Sequence, residues 1–373
     1  MVKRLIIAGS RGIPASHGGF ETFAERLAIH LTRRGWRVSV FCQSDQQSTA
    51  GCFDWNGIER IVIPVSEQGA FGTILFDWKS TIIASRRGHP VLTLGYNTAI
   101  FTTIYRLKSI PNIINMDGIE WRRAKWKWWH KTWLYINEQI GGLVSGCMVA
   151  DHPKIKLHLS HGLLKYKRIE MIPYGADSVN AASDAPLSAL SVEPFKYAIL
   201  IARPEPENQI LEIVRAFSAR YRGIKLLVLG DYTSNNNYYQ RSVLRSAGEE
   251  VLFPGAIYDR NILRSLRYYA MLYLHGHTVG GTNPALVEAL GAGCATLAHD
   301  NIFNRWVAGT GAAYFTNVMD CDGKLSELIA SPQLLHEMRT ASRMRFVESF
   351  RWEDVLSQYE HLLESLALPR AAE

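Results

Sequence analysis

Short apolar runs alternate with longer amphipathic stretches along the first half of the chain. Residues 4–9 (RLIIAG) form a compact apolar run closed by glycine. That pattern predicts a buried strand rather than the longer apolar core of an export signal. FETFAERLAIHLTRRG follows, with Phe20, Phe23, Ala24, Leu27 and Leu31 at helical spacing and Gly35 as its stop. WRVSVFC reads as the next strand, and further strands are predicted at 59–64, 90–94 and 112–115, with helices between them. Residues 180–194 (NAASDAPLSALSVEP) are small, polar and punctuated by proline, which predicts a linker. The alternation then resumes, with strands KYAILIAR, IKLLVLGD, VLFPGAI, AMLYLHG and CATLAHD and a helix at QILEIVRAFSAR.

Strand–helix–strand repetition builds parallel sheets wrapped by helices. The expectation is therefore an α/β chain with a first domain at 1–179, the linker, and a second domain at 195–348. An amphipathic helix at 352–366, within a terminal segment 349–373, is expected to cross back to the first domain. Ligands of such sheets bind at the carboxyl ends of the strands, and two facing domains make a central cleft there.

Composition agrees with two cored domains: 373 residues, 47% hydrophobic and 20% charged. The net charge of +7 points to anionic partners, phosphates or an anionic membrane face. Cys42, Cys52, Cys147, Cys294 and Cys321 form no C-x-x-C pair. That argues against a disulfide framework or a structural zinc site and suits a reducing, cytoplasmic setting. No run approaches the roughly 20 apolar residues of a membrane span.

The segment from His275 to Asp300, HGHTVGGTNPALVEALGAGCATLAHD, carries the most chemistry. A strand ends near His275; Gly280 and Gly281 allow a sharp turn; Thr282 and Asn283 precede Pro284, which suits a first helical turn. Free amides at such a helix start favour an anion, and a diphosphate fits. Glu288, one turn further, is placed to accept hydrogen bonds from the two hydroxyls of a ribose. The alternative is an ordinary capped helix with a solvated Glu288.

GGTNPALVEALGAGCATLAHDN resembles the donor-binding segment of glycosyltransferase family 4, whose members carry two glutamates separated by seven residues. Glu288 matches the second; Gly280 stands at the first, so that acid is absent. The same departure occurs in a branch resembling bacterial rhamnosyltransferases of capsule and exopolysaccharide synthesis. SRGIPASHGGFETF, NMDGIEWRRAKW and ARPEPENQILEIVRAF extend the resemblance over nearly the whole chain. It implies a GT-B fold, two Rossmann-like domains facing a cleft, and a retaining sugar transfer without a metal ion or other cofactor. The implied donor is a nucleotide diphosphate sugar, with rhamnose from a dTDP donor suggested by the branch. The implied acceptor is a saccharide or a polyprenyl-diphosphate-linked sugar.

Roles carry over by position. Arg203 matches the arginine that grips the donor diphosphate, as a guanidinium does bidentately. Asn208 stands where the family usually has a lysine and retains only an amide donor. Gly18 and Gly19 match glycines beside the donor phosphates, where backbone must approach an anion closely. Asp117 lies close to a family histidine that reaches the donor sugar, and a carboxylate there stabilises an oxocarbenium-like charge; it reads equally as a turn or cap residue. Glu21 and Glu120 are acceptor-side candidates. His17, His152, His275 and His277 sit near strand ends and read as structural. DCD, Asp320 to Asp322, falls far from the other motifs and is not read as a metal site.

WRRAKWKWWHKTW, residues 121–133, combines tryptophan with cations. On a helix Arg123, Lys127 and Lys131 make one cationic stripe and Trp126, Trp129 and Trp133 another face, with Trp121 and Trp128 extending it. That is the chemistry of a membrane interface and predicts peripheral contact with the anionic inner face of the cytoplasmic membrane; packing of the tryptophans in the core is the alternative. No nucleic-acid-binding motif accompanies the patch. Two other functions fit the same residues: a nucleotide-sugar epimerase of this architecture, and a non-catalytic nucleotide-sugar-binding protein.

Overall fold

A computed structural model describes residues 2–16, 18–44, 50–67, 69–233 and 237–367. The chain divides into two compact units. The first comprises residues 1–173 and 353–373, the second 174–352.

The first unit holds eight strands: β1 (Arg4–Ala8), β2 (Arg37–Ser44), β3 (Gly51–Trp55), β4 (Ile58–Pro64), β5 (Val91–Leu94), β6 (Asn112–Asn115), β7 (Cys147–Ala150) and β8 (Ile169–Met171). Their order in the sheet is β3-β4-β2-β1-β5-β6-β7-β8. All neighbours pair in parallel except β3 with β4. The buried side chains of Ile6, Phe41, Ile61, Phe76, Val91 and Tyr105 form one core cluster.

The second unit holds β9 (Tyr197–Ile201), β10 (Lys225–Leu229), β11 (Val251–Gly255), β12 (Leu272–His275), β13 (Thr296–His299) and β14 (Ala312–Phe315), in the order β11-β10-β9-β12-β13-β14, all parallel. Side chains alternate between two covered faces. Ala198, Leu200, Leu226 and Leu274 join one core cluster; Tyr197, Ile199, Leu227 and Tyr273 join the other. Burial on both faces is why these strands read as unbroken apolar runs.

In both sheets the first strand lies inside and the connections run outward in both directions from it, so a crevice opens where the order reverses. That point lies between β1 and β5 in the first unit and between β9 and β12 in the second. At the first, the β1 loop crosses tightly over β5. Gly9 has φ +83°, and a Cβ there would lie 2.2 Å from the Leu94 carbonyl oxygen. Gly9→Ala is expected to destabilise the first unit by about 2–4 kcal/mol, strain and overpacking acting together, measured by urea or thermal denaturation.

Two expectations about the chain path need correction. Residues 180–194 are not a free linker: they carry a short helix, Ala185–Ala189, and bury Leu187 and Val192 in the second unit's core. Two apolar side chains at the right places outweigh the polar composition around them. The chain instead changes unit at Pro173/Tyr174 and again at Trp352/Glu353. Within the second unit the two connecting stretches run side by side, Ala176 pairing with Arg351 in a parallel bridge.

The last helix, Trp352–Ala367, belongs mainly to the first unit. Tyr359 packs tilted against Phe23, ring centroids 4.6 Å apart, and its hydroxyl accepts from Asn115 Nδ2 at 2.8 Å. Glu360 meets His30 at 2.9 Å, and Glu364 pairs with Lys3. Val355, Tyr359, Leu362 and Leu363 are buried.

Candidate active site

In the second unit the loops that follow β9, β12 and β13 are stitched together at the switch point. Thr278 donates through its amide (3.0 Å) and its hydroxyl (2.9 Å) to the Glu207 carbonyl. Gly276 packs against the same turn, where a Cβ would stand 2.1 Å from the Asn208 carbonyl oxygen. Asn301 and Asn304 each donate to the His277 carbonyl at 2.9 Å, tying β13's loop to β12's.

Arg203 lies at the end of β9 on this braced turn. Its side chain is exposed and makes no ion pair or hydrogen bond among the described residues, Glu205 and Glu207 included. Asn208 is corrected in role. Its amide donates to the Arg203 carbonyl at 2.8 Å and is buried, so it shapes the turn instead of facing a ligand in place of a lysine.

The Pro284–Gly291 helix begins as its sequence predicts, with Pro284 in the first position. Its amides are not all free, however. Asn283 caps the helix, its side chain accepting from Ala285 N at 3.0 Å. The open donors lie one step earlier: the amides of Gly280, Gly281 and Asn283 bond to no other group among the described residues. Gly280, at φ +125°, turns the chain here, and Thr282 is buried. An anion is thus offered a row of open backbone donors on a loop tied to the one that carries the unpaired Arg203.

Glu288 is only partly solvated and not fully available. Arg267, from the end of the Arg260–Tyr268 helix, pairs with its Oε2, while Oε1 has no protein partner among the described residues. Glu288 is about one-third exposed and Arg267 is 9% exposed. The pairing fixes the carboxylate and leaves one oxygen for hydroxyl donors. Arg267 was not foreseen; nothing in DRNILRSLRYY marks it apart from its neighbouring arginines.

Beneath the loop, His275 is wholly buried with both ring nitrogens unpartnered, stacked on His277 at 4.4 Å. Burial, with His277 and His299 adjoining, pushes its pKa well below the usual histidine range, so it is a neutral imidazole. His152 caps the Pro153–Leu159 helix through Nδ1, 3.0 Å from Lys154 N. His17 lies outside the described residues. Of the acids in DCD, Asp322 pairs with Arg220 and Arg222, and Asp320 accepts from the Thr316 amide at 2.8 Å, both structural uses.

In the first unit the switch point opens into a cavity of about 220 Å³ that gathers Glu21, Asp117 and Glu120. Glu21 accepts from the Arg11 amide at 3.1 Å. Asp117 has φ +50°, its amide held by Asn115 Oδ1 at 2.9 Å, so it occupies a turn and faces the cavity at once. Glu120 pairs with Arg123 at 2.6 Å, and its amide donates to the Tyr96 hydroxyl at 2.8 Å. Gly18 caps the Gly19–Arg33 helix by position but offers no side-chain acceptor. Neither Gly18 nor Gly19 lines the cavity. The cavity also holds Asp77, Tyr96 and Thr98, residues that no motif singled out, and Ser10, which opens SRGIPASHGGFETF but carried no assigned role.

The tryptophan segment is only partly the helix its spacing predicts. A single 3₁₀ turn spans Glu120–Arg122, and the α-helix begins at Trp128. Arg123 is extended (ψ 135°) and tied to Glu120, so no stripe with Lys127 and Lys131 exists. Trp121 turns inward, its Nε1 donating to Glu138 at 3.0 Å, and Trp126 is half-buried. Trp128 (78%), Trp129 (50%) and Trp133 (39%) are exposed, as are Lys125 and Lys127, with Lys125 over the Trp126 ring. Among the described residues no helix is long and apolar enough to cross a membrane.

The profile of a domain of unknown function, DUF1972, matches residues 2–177, close to the first unit's main segment. No curated protein matches the chain. Solved structures match it over almost its full length at low identity. Sucrose-phosphate synthase from Thermosynechococcus elongatus is 15% identical with a TM-score of 0.78, covering 98% of this chain and 99% of that one. HepE from Anabaena, in complex with UDP and glucose, is 14% identical with a TM-score of 0.74, covering 98% and 100%. An α,α-trehalose-phosphate synthase from Burkholderia xenovorans, in complex with glucose-6-phosphate, is 14% identical with a TM-score of 0.73, covering 97% and 100%. The chain therefore has the α/β GT-B fold, two Rossmann-like doubly wound units in tandem, as these glycosyltransferases do.

Proposed function

We propose that this chain is a retaining glycosyltransferase that takes a sugar from a nucleotide diphosphate donor to a saccharide or lipid-linked acceptor. One observation carries the reading: an unpaired Arg203 and a row of open amides at Gly280, Gly281 and Asn283 share the braced switch point of the second unit. Such a site suits a pyrophosphate, and Glu288 Oε1 suits the ribose beyond it. The complexes of HepE with UDP and with UDP-glucose support a nucleotide sugar as the ligand. In this reading Arg203 and the amides meet the charge of the leaving diphosphate without a metal ion, and the departing phosphate helps deprotonate the acceptor hydroxyl. The resemblance to rhamnosyltransferases makes dTDP-rhamnose the first donor to try and cell-surface polysaccharide the expected product.

Thermal shift over UDP, dTDP and GDP and their sugars tests the reading, since a ligand bound only by the folded state raises the melting temperature. At 100 times its dissociation constant a ligand adds about 2.7 kcal/mol. The absence of any shift, in a protein that melts cooperatively, would sink it. Incubation with donor alone separates a transferase from an epimerase, which needs no acceptor. Transfer that persists in EDTA is expected; its loss would show a metal requirement.

The exposed Trp128, Trp129 and Trp133 with Lys125 and Lys127 fit the inner face of the cytoplasmic membrane. Each cation near an anionic leaflet contributes about 1 kcal/mol. Reversing Lys125 and Lys127 to glutamate is expected to weaken sedimentation with phosphatidylglycerol vesicles more than about tenfold. Unchanged sedimentation removes the membrane from the reading.

A further inference from the structure

The amino ends of the first unit's strands, remote from the crevice, carry a polar layer of their own. β1 and β2 start side by side with Arg4 in register with Arg37, and Ser39 of β2 is in register with Glu59 of β4. Side chains two apart on a strand share a face. Arg4 and Arg37 therefore stand on the face of Ile6, Ala8 and Phe41, which packs on Phe76 and Ala84 of the Gly69–Arg87 helix. Where that apolar core ends, Arg4, Arg37, Ser39, Glu59, Arg87 and His89 line a cavity of about 590 Å³.

The pairing inside it leaves two cations over. Arg87 grips both oxygens of Glu59 and holds that carboxyl down to about 2, while Ser39 donates to it at 2.5 Å. Arg37 makes no ion pair or hydrogen bond among the described residues. Arg4 donates to His89 Nε2 at 3.0 Å and has no carboxylate partner there. A guanidinium can only donate, so that ring nitrogen carries no proton and the imidazole is neutral. Burial, with Arg4 and Arg87 adjoining, lowers the His89 pKa in the same sense. Asp54 also lines the cavity, its Oδ2 accepting from the Gly57 amide at 3.3 Å. Three guanidiniums thus stand against two carboxylates, Asp54 and Glu59, and the lining is net positive.

Like charges in register on neighbouring strands destabilise a sheet, so folding alone gains nothing from Arg4 beside Arg37. An anion with several acceptor oxygens repays the arrangement, because guanidinium forks match a phosphate bidentately. A cation would meet like charge, and the volume lies in the range of small-molecule sites.

We propose that this cavity is an anion site in which Arg4 and Arg37 hold a phosphate group, either the free ion or the phosphate of a small ester. The site stands independently of the transferase reading, since it lies at the opposite ends of the strands from the first unit's crevice and belongs to a different unit from Arg203.

The test is isothermal titration of the full chain at fixed ionic strength with inorganic phosphate and with glucose 6-phosphate. The chain carries Arg203→Ala, so that the second unit's loop does not supply the signal. At least one probe is expected to bind saturably. Arg4→Gln and Arg37→Gln should each weaken it about 10- to 100-fold in proteins that still melt cooperatively. Arg106→Gln, an exposed arginine outside the cavity, should leave affinity unchanged. The ring resonances of His89, assigned with His89→Gln, should shift in step with binding. Tighter binding of glucose 6-phosphate assigns the site to a phosphate ester, and equal or tighter binding of inorganic phosphate assigns it to the free ion. The proposal is overturned if neither probe binds, if the Arg4 and Arg37 variants bind like the parent, or if Arg106→Gln weakens binding as much as they do. Binding of UDP by the parent chain without phosphate binding here sinks only this site.

Discussion

Replacing Arg203 with alanine is expected to weaken binding of UDP or dTDP about 30- to 1,000-fold while leaving the melting temperature of the unliganded protein almost unchanged. Charge-assisted hydrogen bonds are worth about 1.5–3 kcal/mol each, and a guanidinium makes two to a phosphate. A loss of about 2–4 kcal/mol corresponds to that range of affinity. Stability should hardly move because the side chain is exposed and unpaired, and surface substitutions of that kind stay within about 0.5 kcal/mol. Arg203→Lys restores the charge without the fork and should recover only part of the affinity. Isothermal titration with the nucleoside diphosphate decides the matter. Equal affinities for the alanine variant and the parent would show that the diphosphate is held elsewhere.

Asp77→Asn should do the opposite to stability, and only at the right pH. Burial lifts the folded-state pKa of Asp77 from 3.8 to about 6. The folded protein therefore holds a proton more tightly than the unfolded chain does. Stability from this group is full below about pH 4, falls between about pH 4 and 6, and stays lowered above that. Two pKa units correspond to about 3 kcal/mol, and solvent reaching the cavity reduces this to about 2 kcal/mol. The asparagine variant keeps an acceptor for Thr98 and carries no charge. At pH 8 it should melt at least about 4 °C above the parent in the transition of the first unit, and the gap should close below about pH 4. A gap that is constant with pH would mean the carboxyl is not the titrating cause. Higher stability in the uncharged variant is the signature of a residue not retained for the fold alone.

Sequence patterns carried much of this architecture because nearly every central strand is buried on both faces. RLIIA, KYAILIAR and IKLLVLGD announce themselves by apolar continuity alone. β3 does not: GCFDW is an exposed edge strand whose pairing comes from β4, not from burial. β8 is three residues long, too short for any periodicity to register. The loop at Gly280 was legible because a helix start has local chemistry, and Arg203 because a resemblance fixed its position. Its cap at Asn283 was legible as a residue type but not in its effect, which is to use up an amide that a ligand might have taken. The cationic stripe failed because Arg123 answers to Glu120, three residues before it, and not to the helical period of its neighbours. Asp77 and Thr98 stayed invisible, and Ser10 went without a role, for a different reason. Each comes from a separate element, and only the reversal of strand order between β1 and β5 brings them to one place.

The helix Trp352–Ala367 also sets an order of events. The second unit is contiguous in sequence, so a ribosome can deliver it whole, whereas the first unit must wait for its last segment. Until then Phe23, Trp36 and Asn115 lack the partners Tyr359 and Glu360 supply. Although translated first, the amino-terminal sheet is thus the later of the two to reach its finished state, and its uncovered face is what a nascent-chain chaperone would meet.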